Sequence, residues 1–262
     1  MVAKKKMVVS ALAALVSFGL LGAGYFGTMK NASFSVNTQA ASTEAAENED
    51  KKLPGVPNFR MVSFEVANSA TPSGIRDGVI YRSGQPENTA TMAAALKKYI
   101  YMPGSVDIKI NANTAEFTDP DFGVKVAFDS LVDPGEPANW EAVMITNKAG
   151  NFAHLKDAYS QIADAPRGAQ FLVHCTSGAS RTGFFFFALE WLTGATKEQI
   201  LADYDTTPNH EKFNAAVLAS MTTIKKHWGS IDGYFTKGLG LTEKQVQALK
   251  LNLANPITAI KN

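Results

Sequence analysis

At 262 residues, 45% hydrophobic and 19% charged, the chain is long enough for one sizeable core and too apolar to be disordered throughout. The formal charge is +1, and because residues 1–52 hold six lysines against four acids, 53–262 carry −1, which excludes nucleic-acid binding built on phosphate neutralisation by Lys and Arg. The single cysteine, Cys175, excludes an intramolecular disulfide, and His154, His174, His210 and His227 show no metal-ligand spacing, so no metal and no other cofactor is expected.

Lys4-Lys5-Lys6 precede Met7 to Gly27, twenty-one residues without a charge. As a helix rising 1.5 Å per residue this run spans about 30 Å, the thickness of a bilayer's hydrocarbon. A positive start before an apolar run reads equally as a cleaved secretory signal or an uncleaved anchor, and the positive-inside rule puts the remainder outside the cytoplasm in both cases. Residues 1–27 are therefore expected to meet a membrane, and the protein to be extracytoplasmic, secreted or anchored to the cell membrane. Residues 28–52, rich in Ala, Ser, Thr, Asn and charge, lack the apolar mass to pack and read as a flexible linker. From Leu53 to residue 262 the composition is that of a folded domain.

Within it, Asn58 to Val62 and Gly78 to Pro86 read as short strands ended by turns, Thr89 to Tyr99 as a helix, and Ser105 to Ile110 as a strand. Val124, Val126 and Phe128 alternate with polar or small residues, which predicts another strand. Leu155, Ala158, Tyr159 and Ile162 recur at helical spacing over Phe152 to Ala165, ahead of the strand Gln170-Phe171-Leu172-Val173. After a further apolar helix, Gly194 offers a stop and Thr196-x-x-Gln199 a capping box for a helix through Tyr204; Thr242 opens a last helix ending near Ala254. Strands alternating with helices predict an α/β fold, with a central, mostly parallel sheet flanked by helices.

The stretch that carries chemistry is His174-Cys175-Thr176-Ser177-Gly178-Ala179-Ser180-Arg181-Thr182-Gly183, between an apolar strand and Phe184-Phe185-Phe186-Phe187, which face all round a helix and so belong to the core. A tight loop entering a helix points several backbone N–H groups at one spot, with the positive end of the helix dipole behind them. Phosphate is the natural guest. The amides, the dipole and the Arg181 guanidinium all stabilise a negative sulfur on Cys175. Arg181, six residues on, can bind two phosphoryl oxygens with its planar fork, and Thr182 can donate a hydrogen bond to the departing thiolate.

This Cys-x5-Arg loop, with His before it and Thr-Gly after, resembles the signature of the bacterial tyrosine and dual-specificity protein phosphatases. Asn58-Phe59-Arg60, Tyr81-Arg82-Ser83-Gly84-Gln85-Pro86, Leu201-Ala202-Asp203-Tyr204 and the stretch from Gly229 to Thr242 are similar to further segments of that family. The resemblance implies a protein-tyrosine-phosphatase-like fold over 53–262. It also implies attack by Cys175 on phosphorus, a cysteinyl-phosphate, and equatorial oxygens held by Arg181 and the amides of Thr176, Ser177, Gly178, Ala179 and Ser180. The substrate it implies is a phosphorylated protein or a small phosphomonoester. Phosphotyrosine comes first and dual specificity stays open; the alternatives are an inositol-phosphate or phosphoinositide substrate, or a phosphate-binding pseudophosphatase.

Two positions depart from the family pattern. Ala179 and Ser180 stand where the family loop usually has Lys-Asp, and its Asp-Leu-Arg segment aligns with Lys109-Ile110-Asn111, so two acids are missing. An alkoxide leaves phosphate poorly without a proton. Asp133, in the turn-rich Leu131-Val132-Asp133-Pro134-Gly135-Glu136-Pro137, resembles in position the acid loop of other phosphatases of the superfamily and is the expected general acid, with Asp129 the second choice. His174 is expected to orient the strand end near Cys175, and Tyr81 and Arg82 to be framework.

Overall fold

The computed structural model describes residues 53–66, 69, 71–111, 118–207 and 210–254. The expected membrane segment 1–27 and linker 28–52 lie outside them. Among the described residues no helix is long and apolar enough to cross a membrane.

Five strands form one sheet: β1 (Arg60–Met61), β2 (Ile80–Ser83), β3 (Val106–Lys109), β4 (Lys125–Phe128) and β5 (Phe171–His174), in spatial order β1-β2-β5-β3-β4. Only the β1–β2 pair is antiparallel. β5 runs parallel between β2 and β3, with Ile80 opposite Phe171 and Lys109 opposite His174, so the strand that delivers Cys175 sits at the centre of the sheet.

Side chains alternate across β5. Leu172 joins Tyr81, Phe59, Met92, Leu96 and Phe122 beneath α1 (Ala90–Leu96), while Phe171 and Val173 join the larger core. That core is built by α2 (Phe152–Ala163), α3 (Arg181–Leu192), α4 (Lys197–Asp205), α5 (His210–Trp228), the short α6 (Ile231–Gly233) and α7 (Glu243–Leu253). In α3 the four consecutive phenylalanines are all fully buried, as a helix apolar on every side requires. The predicted capping box forms, Thr196 closing with Gln199 at the head of α4, and a second box, Thr242 with Gln245, heads α7.

Four elements differ from expectation. The nineteen-residue α5 has no counterpart among the predicted elements, because its buried face runs through Phe213, Ala216, Val217, Ser220 and Ile224, where small and polar residues dilute the periodicity. Pro137–Asn139 forms a 3-10 turn, and Glu141–Ile145 a π-helical turn that buries Met144 and Ile145, within a segment whose proline and glycine had suggested turns alone. On β4 the residue in the main core is Ala127 and Val126 is exposed; as the edge strand it is covered on one side only.

Candidate active site

β5 ends at His174, Cys175 follows it almost fully buried, and Thr176 to Ser180 turn into α3. Among the described residues no side chain caps α3, so the amides of its first turn remain open to a ligand.

Three successive carbonyls of the loop are fastened from outside. The Gln85 amide donates to the Thr176 oxygen at 3.0 Å, Asn58 Nδ2 to the Ser177 oxygen at 2.7 Å, and Arg82 Nη2 to the Gly178 oxygen at 3.1 Å. In a planar trans peptide the next N–H points the opposite way, so these bonds turn the Ser177, Gly178 and Ala179 amides to the inner side of the loop. Gly178 adopts φ +71°, and a Cβ there would lie 2.5 Å from the Gly84 nitrogen; glycine is required by both constraints.

Arg181 leads α3 and is buried. Its Nη2 donates to Thr176 Oγ1 at 3.2 Å and lies 3.1 Å from Asp133 Oδ2, while its Nε has no hydrogen-bond partner among the described residues. Thr176 Oγ1 in turn reaches Asn111 Oδ1 at 3.5 Å, and Asn111 Nδ2 donates to Gln85 Oε1 at 3.2 Å. Thr182 Oγ1 is buried and also lacks a partner among the described residues. Ala179 packs on the core, and Ser180 Oγ accepts from Trp140 Nε1 at 3.5 Å.

Asp133 lies on a loop braced at both ends. Asn151 both donates to the Val132 oxygen and accepts from its amide, at 3.1 and 2.9 Å, and Trp140 is buried among Phe184, Phe187, Tyr204 and Phe213. The Gly135 amide donates to Asp133 Oδ1 at 2.9 Å, which leaves Oδ2 for Arg181. Asp129, the second choice, is buried at the end of β4, where burial and the charge of Asp157 push its carboxyl up to about 6. The structure thus brings Asp133, and not Asp129, to Arg181.

Behind the loop, His174 Nε2 is 3.1 Å from Asp107 Oδ1 and 3.5 Å from Asp119 Oδ1, and Lys109 Nζ is 3.1 Å from Asp119 Oδ2. Burial opposes the charge on His174, but the two carboxylates outweigh it and raise its pKa; burial also raises that of Asp107, against the pull of His174. Asp107, Asp119 and His174 lie close enough to share a cation, but Lys109 Nζ already sits on Asp119 and His174 Nε2 on Asp107, so a metal would have to displace both contacts.

Asp107, which the sequence reading did not single out, lies on β3 two residues before Lys109 and faces His174. Asp119, which also accepts a hydrogen bond from Gln85, gave no local signal.

Arg82 is framework, as expected. Wholly buried, it lies 5.2 and 5.3 Å from the ring centroids of Phe186 and Tyr204 and pairs with Asp203. Arg60 Nε donates to the same carboxylate at 2.7 Å. Burial works against Asp203's charge, but the two arginines hold its carboxyl below the usual range. Glu190 nearby is pushed well above its usual range, first by burial and then by Asp203.

A family model described as "Tyrosine phosphatase family" matches residues 51–218 and 210–255. The chain belongs to the tyrosine phosphatase family. A presumed tyrosine-protein phosphatase of Cupriavidus necator is 24% identical over 214 residues, 66% of this phosphatase and 78% of that protein. Among solved structures, Pseudomonas aeruginosa TpbA aligns at 16% identity and TM-score 0.37, over 68% of this chain and 93% of that one. A cysteine-to-serine TpbA in complex with phosphotyrosine aligns at 15% and 0.35, over 71% and 94%.

Proposed function

We propose that this phosphatase hydrolyses phosphotyrosine in proteins, with phosphoserine and phosphothreonine as secondary substrates, through a cysteinyl-phosphate on Cys175. The observation that carries the reading is the buried Arg181, its Nε unpartnered among the described residues, on the same loop as Cys175 and its inward-turned amides. The Cys175 sulfur attacks phosphorus as the bond to the leaving oxygen breaks, and Asp133 gives that oxygen its proton. Water then attacks phosphorus and gives a proton back to the Asp133 carboxylate, the S–P bond breaks, and phosphate leaves with the thiolate restored; the Thr182 hydroxyl donates to the sulfur as it departs.

Charge supports one phosphate over several. Ala179 stands where the family has lysine, and the nearby Lys109 is paired with Asp119, which disfavours a multiply phosphorylated inositol. The sequence of 1–52 supports a domain held outside the cytoplasm by an anchor or released after a signal, on a linker of some 25 residues.

The test is turnover of para-nitrophenyl phosphate and of a panel of phosphopeptides and phosphoinositides, by the wild type and by Cys175→Ser. Loss of turnover in Cys175→Ser with orthovanadate still bound supports the covalent route. Comparable hydrolysis by the variant refutes it, and a wild type that binds phosphate without turnover is a pseudophosphatase.

A further inference from the structure

Asn58 sits outside the Cys-x5-Arg loop, 119 residues from the carbonyl it touches, and its backbone is in the left-handed region at φ +53°. Such a conformation in a residue other than glycine is uncommon, and Asn is among those that tolerate it. Two neighbours explain the turn. The Pro57 oxygen accepts from the Gly84 amide at 2.6 Å, and Phe59 is buried with its ring stacked on Tyr81 at 5.7 Å. Between these fixed residues the left-handed turn aims Nδ2 at the Ser177 oxygen, making the shortest of the three bonds that hold the loop carbonyls outward.

Which peptide this bond holds decides its use. Glycine at 178 is demanded by the close approach of Ser83 and Gly84, yet glycine also leaves the Ser177–Gly178 peptide plane weakly fixed by its own sterics. If that plane turned over, the Gly178 N–H would leave the loop interior and the Ser177 carbonyl, a negative dipole, would take its place facing the phosphoryl oxygens. Resting on the phosphatase reading above, we infer that Asn58 is a positioning residue that locks the Ser177–Gly178 peptide with its N–H toward the transferring phosphoryl group. A preorganised donor contributes most where charge gathers in the transition state, so its loss falls on kcat more than on KM.

Three variants of the full-length protein separate this from a purely structural turn. Asn58→Gly keeps the left-handed backbone and removes the donor; Asn58→Asp keeps the shape and sets a carboxylate against the Ser177 oxygen; Asn58→Ala removes the donor and disfavours the turn. The readouts are kcat and KM on para-nitrophenyl phosphate, orthovanadate affinity and Tm. Asn58→Gly should lose about tenfold in kcat and in orthovanadate affinity, the worth of one hydrogen bond to a charged ligand, with Tm nearly unchanged. Asn58→Asp should lose more. Wild-type kcat and orthovanadate affinity in both Asn58→Gly and Asn58→Asp, with loss confined to Asn58→Ala, overturn the inference, as does a fall in Tm without a fall in orthovanadate affinity. A wild type that neither turns over substrate nor binds orthovanadate refutes instead the phosphatase reading on which the inference rests.

Discussion

Removing Asp203's charge should expose a reserve anion in the core. Asp203 is the common partner of Arg60 and the wholly buried Arg82, and breaking one side of a buried pair costs about 3–5 kcal/mol because the other charge stays buried. Here a second carboxyl is at hand. Asp203's own charge helps disfavour the ionised form of Glu190, so in Asp203→Asn that push is gone, Arg60 and Arg82 draw Glu190 towards ionising, and the cost at pH 7 should fall near about 3 kcal/mol. Glu190→Gln alone keeps the shape and removes a carboxyl whose ionisation burial opposes, so at pH 7 it should be neutral or stabilising. The double variant loses both anions and should exceed the sum of the singles by about 1–2 kcal/mol. Urea midpoints at unchanged slope measure all three. The sign with pH is also fixed. A carboxyl raised in the folded state burdens the fold above its unfolded pKa, so Glu190→Gln should restore part of the stability that the wild type loses as pH rises from about 4.5. An additive double variant, or a Glu190→Gln as damaging as Asp203→Asn, would show that Glu190 is charged in the native protein and refute the reasoning.

Three shorter expectations concern the site. Asp133→Asn should slow hydrolysis of alkyl and tyrosyl phosphates by about 10²–10⁴ and matter much less for nitrophenyl or fluorinated coumarin phosphates, whose leaving groups need no proton; equal loss on all substrates would remove Asp133 as the acid. Arg181→Lys keeps the charge but not the fork and should cost about 10²–10³ in kcat, whereas near-wild-type kinetics would place Arg181 away from the phosphate. Asp129→Asn should stabilise at pH 7, since the carboxyl is raised from 3.8 to about 6 and its penalty grows as pH rises through that interval. The gain is at most about 3 kcal/mol, nearer 1–2 with solvent screening, and should vanish below about pH 4 in thermal melts.

What could be read from the sequence is what lies close along the chain. The β5–loop–α3 unit is one uninterrupted run of apolar residues, small residues and Arg181, and the box at Thr196 needs only four residues. The outward fastening of the loop was beyond such reading, because Asn58, Arg82 and Gln85 find their acceptors 91 to 119 residues away. Asp107 gave no signal either, because its partner His174 lies 67 residues on and meets it only when β3 and β5 pair. Asp133 was singled out by loop position alone, and its approach to Arg181 depends on Asn151 and Trp140, neither of which carried a signal of its own.

The place of β5 in the sheet also sets an order of events. β2 and β3 are made first, yet neither pairs with the other; each waits for β5, with Ile80 meeting Phe171 and Val106 meeting that same residue from the other side. Such distant pairings close slowly, since the loop entropy is lost before any contact rewards it. The fastening of the Thr176, Ser177 and Gly178 carbonyls comes from residues beyond β2's side of that gap, so it exists only once β5 has slotted in. A nascent or partly folded chain consequently has no preformed anion cup, and its single thiol acquires the setting of a nucleophile in the same step that completes the sheet.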